Sequence, residues 1–66
     1  MPAAFAINDE VLVTVEGQES VVRKVTMVQG VTPEGLIYEP THPSVVFYQY
    51  VLDDGLAYTE HYLGLV

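Results

Sequence analysis

The residues with most chemistry to offer are two histidines and the acids beside them. His42 lies close after Glu39, and His61 directly follows Glu60. Imidazole and carboxylate are ordinary zinc ligands. No His-x-His or His-x-x-x-His spacing joins the pair, and neighbours such as Glu60 and His61 point to opposite faces of a strand. Two loop histidines are the simpler reading, and no metal or cofactor is implied. Nucleophilic catalysis has little to work with. There is no cysteine, the only serines are Ser20 and Ser44, and no Gly-x-Ser-x-Gly elbow or phosphate-cradling glycine loop is present. A non-enzymatic protein is expected.

The tyrosines say more. Tyr48 and Tyr50 share one face of a strand, with Tyr38 and Tyr58 placed to approach them across a sheet and Asp53 and Asp54 close by. The opposite face, Val45, Phe47 and Val51, reads as the better core set. On that assignment Tyr38, Tyr48, Tyr50, Tyr58, Asp53 and Asp54 form a partly exposed partner-binding surface. Aromatic rings beside carboxylates hold a cation, a methylated lysine or an arginine-rich peptide, and aromatic grooves take extended proline-rich peptides. The competing reading is that these tyrosines pack over the core with their hydroxyls in water.

The elements that must position these side chains read as strands. Val11-Leu12-Val13-Thr14-Val15 alternates valines on one face just after the turn-prone Asn8-Asp9. A second run, Val21 to Gln29, puts Val21, Val25 and Met27 on one face and Val22 and Val28 on the other. Its length predicts a bend that buries different faces at its two ends, and Gly30 is expected to end it. Thr32-Pro33-Glu34-Gly35 is a turn, Leu36 to Glu39 a short strand, and Pro40 and Pro43 keep Thr41-His42 out of any central strand. Ser44 to Leu52, Asp53-Asp54-Gly55 and Leu56 to Thr59 form a hairpin whose loop is closed by a glycine at positive φ. Glu60 to Val66 is expected to make one helical turn stopped at Gly64 and then a short pairing strand. Nowhere do helix formers and 3.6-residue periodicity coincide over the length an α-helix needs. The expectation is one all-β domain over residues 1–66, a small five-stranded barrel.

Three stretches resemble the SH3-like barrels in the broad sense that includes KOW and Tudor modules. Asn8-Asp9-Glu10-Val11-Leu12-Val13 is similar to a "G-D-x-V-x-V" opening, with Asn in place of Gly. Val21-Val22-Arg23-Lys24-Val25 is similar to that group's second strand without its preceding glycine. Tyr50-Val51-Leu52-Asp53-Asp54-Gly55 is similar to the hairpin leading into its last strand. The resemblance implies an SH3-like fold and transfers no function, because that fold serves many.

Charge narrows the partners. Nine acids against Arg23 and Lys24 give a net charge of −7. Such a chain repels nucleic acid and anionic membrane, and favours cationic partners. The opening Met1-Pro2-Ala3-Ala4-Phe5 lacks the basic start and apolar run of a secretory signal, and with no cysteine a reduced, cytoplasmic setting is expected. Half of the residues are apolar, more than so small an interior holds. Self-association or docking on another protein is therefore expected, through the Tyr48/Tyr50 face or through Leu63-Gly64-Leu65-Val66. The functional expectation is a protein-interaction module, or a subunit of a larger assembly or homodimer. The alternative is an acidic inhibitor or nucleic-acid mimic occupying a basic site on a partner, which requires carboxylates in rows. Here they are scattered through turns.

Overall fold

A computed structural model describes residues 3–66; Met1 and Pro2, part of the opening stretch weighed as a signal, lie outside it. The described chain is all-β apart from one 3₁₀ turn. Its strands are β1 (Glu10–Val13), β2 (Val21–Val31), β3 (Ile37–Tyr38), β4 (Phe47–Leu52), β5 (Ala57–Thr59) and β6 (Leu63–Leu65), with the 3₁₀ turn Glu60–Tyr62 leading into β6. All pairings are antiparallel, in the order β5-β4-β2-β1-β6, and β3 adds to β2 off that path.

The expectation of a closed, five-stranded barrel is corrected in two respects. The β2–β3 hairpin adds a sixth strand, and the path is open, with β5 and β6 at its two ends. Those end strands have three residues each, and the 3₁₀ turn between them carries the chain from one end of the path to the other. No helix among the described residues is long and apolar enough to cross a membrane.

β2 belongs to both halves of the sheet. Its first part pairs with β1, where Val11 faces Arg23 and Val13 faces Val21. Its second part pairs with β4. Between them the register slips: Val25 faces Leu52 and Met27 faces Val51, so Thr26 is an extra residue. A β-bulge of this kind bends a strand and switches which residues point inward beyond it. The Thr26 hydroxyl donates to the Val51 carbonyl at 3.0 Å and holds the bulge in place. The predicted bend is therefore present. Val21, Val25 and Met27 do not share a face, however: Val25 is buried while Met27 is exposed. Gly30 does not end the strand either, since Gly30 and Val31 still pair with Tyr48 and Phe47.

The core is Val11, Val13, Val25, Tyr50 and Leu52, with Phe5, Val15, Val28, Tyr48, Tyr58 and Leu63 packed against it. This reverses the expected sidedness of β4. Tyr50 is fully buried and Phe47 is exposed. The physical reason is Gln49. It sits midway along the Phe47/Gln49/Val51 face, and burying an amide there costs more than turning that face to water.

Turns follow local chemistry. Leu52 N–H donates to the Leu56 carbonyl at 3.0 Å and Gly55 N–H to the Leu52 carbonyl at 2.9 Å. Gly55 has φ +80°, so the Asp53-Asp54-Gly55 loop is the predicted three-residue hairpin connection. Thr32, almost fully buried, closes the β2–β3 hairpin: its hydroxyl accepts from Leu36 N–H at 3.1 Å.

Candidate functional site: a cleft at one end of the sheet

The β1–β2 loop and the β4–β5 turn come together at one end of the molecule. Between them lies a cleft of about 240 Å³, walled by Val13, Val15, Val21, Leu56 and Tyr58 and bordered by Gln18, Glu19, Arg23 and Asp54. Val13 and Val21 reach it because they are the last paired residues of β1 and β2. Leu56 is carried there by the hairpin loop and is 58% exposed, an unusual position for an aliphatic side chain beside two acids.

The polar rim is organised. Asp54 accepts Leu56 N–H at 3.0 Å through one carboxylate oxygen and the Tyr58 hydroxyl at 2.8 Å through the other. Partial burial pushes the Asp54 carboxyl up, but the Leu56 N–H, the Tyr58 hydroxyl and the Arg23 charge outweigh it and hold the carboxyl below its ordinary value. The same hydrogen bond to Asp54, followed by burial, raises the Tyr58 phenol. Arg23 reaches Asp53 at 3.8 Å, a loose and partly exposed ion pair of the kind that contributes little to stability. It does place the arginine's charge opposite a carboxylate. Glu19, Asp54 and Arg23 all border the cleft, and the Arg23 charge also acts on Asp54.

Of the residues expected to bind a partner, this cleft gathers Tyr58 and Asp54, with Asp53 at its edge. The other three lie elsewhere. Tyr50 is a core residue and no part of a surface: its ring meets Phe5 edge-on at 5.4 Å, and its hydroxyl is bonded within the fold. Tyr38 and Tyr48 flank Gly30 on neighbouring strands. Tyr38 is exposed and stacks on His42 at 4.1 Å. Tyr48 is half-buried against the core and lines a second, shallower groove of about 460 Å³ with Phe47, Thr59, Glu60 and His61. Among the described residues no group of three or more His, Asp or Glu side chains gathers in metal-binding geometry.

In the sequence the cleft-lining residues Val13, Val15, Val21 and Leu56 stand out only as strand formers. The signal available for them was positional. Each stands next to or within a loop at the end of a strand, where the sheet stops covering an aliphatic side chain on one side. No protein-family model, curated protein or solved structure matches this chain.

Proposed function

We propose that the protein is a non-enzymatic interaction module whose end cleft receives a cationic, partly aliphatic segment of another protein. One observation carries this reading: an aliphatic-walled cleft whose rim holds two acids, Glu19 and Asp54, against one base, Arg23, which is loosely paired with Asp53. At about 240 Å³ the cleft is smaller than the roughly 300–1,000 Å³ typical of small-molecule pockets. It suits one or two side chains of a peptide. A lysine or arginine fits such a site well, its methylenes against Val13, Val21 and Leu56 and its charge at the acidic rim. The net charge of −7 draws cationic partners over longer range.

The strand order also supports the SH3-like reading. A long bent strand shared between two halves, and a single 3₁₀ turn before the last strand, suit an opened version of that architecture. That likeness bears on the fold and brings no ligand with it. The acidic-mimic alternative draws no support from the placement of the carboxylates, which lie mainly in separate turns.

The test is a titration of isotope-labelled protein with a short peptide of alternating leucine and arginine, followed by amide chemical shifts. Shifts confined to Val13, Val21, Asp54, Leu56 and their neighbours, and lost in Leu56→Ser and Asp54→Asn, support the reading. A peptide that moves no amide, or moves all of them weakly, ends it.

A further inference from the structure

The outward face of the β2–β4–β5 layer carries a second message. Residues that are partners across antiparallel strands project to the same side, and here they line up in three rows. Met27, Val51 and Ala57 form one row, Gln29, Gln49 and Thr59 the next, and Ile37, Val31 and Phe47 the third. None of these side chains is charged, on a chain with nine acids. Met27, Ile37 and Phe47 are each nearly half exposed, and Gln29, Gln49, Val51 and Thr59 are half-buried. Val31 lies buried between Ile37 and Phe47, so the third row presents only its two ends. A solvent-facing sheet surface is ordinarily polar, and a contiguous apolar patch marks a contact site. At the Phe47/Thr59 corner the face runs on into the groove with Tyr48, Glu60 and His61.

We propose that this face is where two copies of the chain pair, sheet against sheet, about a two-fold axis. Charge selects the occupant. Two molecules of net charge −7 repel each other, so they meet only where carboxylates are kept away, and these rows are such a place. Glu60 borders the face only at its groove corner, so a cationic partner gains little from the rows themselves.

The pattern selects the same occupant. A two-fold axis lying in the contact plane, either along the strands or across them, sets the middle row of one copy against the middle row of the other. It also sets apolar rows against apolar rows. The sequence apolar–amide–apolar is thus its own complement. Within one copy Gln49 Nε2 donates to Gln29 Oε1 at 2.6 Å. Each amide carries donors and an acceptor, so a strip of them can bond to a second strip of the same kind. The contact involves fewer residues than the roughly 20–30 a side of a standard stable interface, so the dimer is weak and exchanges rapidly.

Sedimentation velocity from micromolar to millimolar protein tests the proposal. The wild type should sediment faster as concentration rises, and more so at higher salt, which screens the repulsion. Gln49→Glu and Gln49→Lys, at a half-buried position of that face and each required to show an unchanged circular dichroism spectrum, should remain monomeric alone. Mixed in equal amounts they should restore the heavier species, because unlike charges then meet at the centre of the contact. A wild type that stays monomeric throughout overturns the proposal. So does a dimer that persists in both single variants, or a mixture that stays monomeric. None of these outcomes depends on the peptide cleft, whose own test reads different residues.

Discussion

The Tyr50 hydroxyl donates to Glu60 Oε1 at 2.6 Å and itself accepts Ala4 N–H at 3.0 Å. One buried phenol thereby ties the centre of β4 to the 3₁₀ turn before β6 and to the start of the described chain. Tyr50→Phe keeps the ring's packing against Phe5 and removes both bonds. It should destabilise by about 1–3 kcal/mol, the range for orphaning partly buried polar groups. A melting midpoint equal to the wild type's would show that neither bond matters to the fold.

The same contact makes stability depend on alkaline pH. Burial first, and the hydrogen bond to Glu60 second, push the Tyr50 phenol from its ordinary 10.0 up to about 12. A raised folded-state value means that the native state holds the proton more tightly than the unfolded chain. The contribution is complete below about pH 10 and disappears as pH climbs towards 12. Thermal melts across that window should show a falling midpoint that is much flatter in Tyr50→Phe. Equal slopes in the two proteins would assign the alkaline loss to other groups.

The two kinds of glycine in this chain should fail differently. At Gly55 a β-carbon would meet nothing within 4 Å, yet φ is +80°, so the cost of a side chain lies in the backbone alone. Gly55→Val should lose roughly 1–3 kcal/mol, and Gly55→Asn much less, since asparagine tolerates that region. A Gly55→Asn variant as unstable as Gly55→Val would contradict a purely conformational cost.

Gly30 has no unusual φ, but a β-carbon there would collide with the Val45 side chain and approach the Glu39 carbonyl oxygen at 3.1 Å. Gly30→Ala should therefore cost about 1–3 kcal/mol through overpacking. Adding Val45→Ala should recover much of it, because the space given up takes the new methyl. Strict additivity of the two substitutions in a double-mutant cycle would rule out the collision as the cause.

Most of the elements were legible in the sequence, and the sidedness of two of them was not. Valine alternation located β1 and most of β2, and Asp53-Asp54-Gly55 located the hairpin. The single helical turn before a short last strand is present, although it ends at Tyr62 and Gly64, expected to stop it, pairs with Leu12 inside β6. What failed was parity. On β4 the apolar set Val45, Phe47 and Val51 favoured that face as core over the one with Tyr48 and Tyr50, whereas the amide of Gln49 between Phe47 and Val51 marks it as solvent-side. The candidate site suffered from the same error: with Tyr50 turned inward, the tyrosine surface divides, and only Tyr58, Asp54 and the neighbouring Asp53 remain together. The cleft itself depends on two loops from distant parts of the chain meeting, which no local pattern encodes.

The bulge at Thr26 supplies the sharpest test of that parity. Strict alternation from Val21 puts Met27 inside and Val28 outside. With Thr26 as an extra residue the order inverts: Met27 faces Val51 on the outer side, and Val28 faces Tyr50 and packs against the core. Polar substitution should then be tolerated at the larger residue and not at the smaller one. Met27→Gln should stay within about 0.5 kcal/mol of the wild type, as surface changes do, when measured at concentrations too low for pairing. Val28→Gln must either bury an amide beside Tyr50 or push it out past Tyr58, and should cost about 1–3 kcal/mol. Denaturant midpoints of the two variants decide the matter. If Met27→Gln proves the more damaging, β2 runs straight through Thr26, Met27 belongs to the core, and the uncharged outer face loses one of its rows.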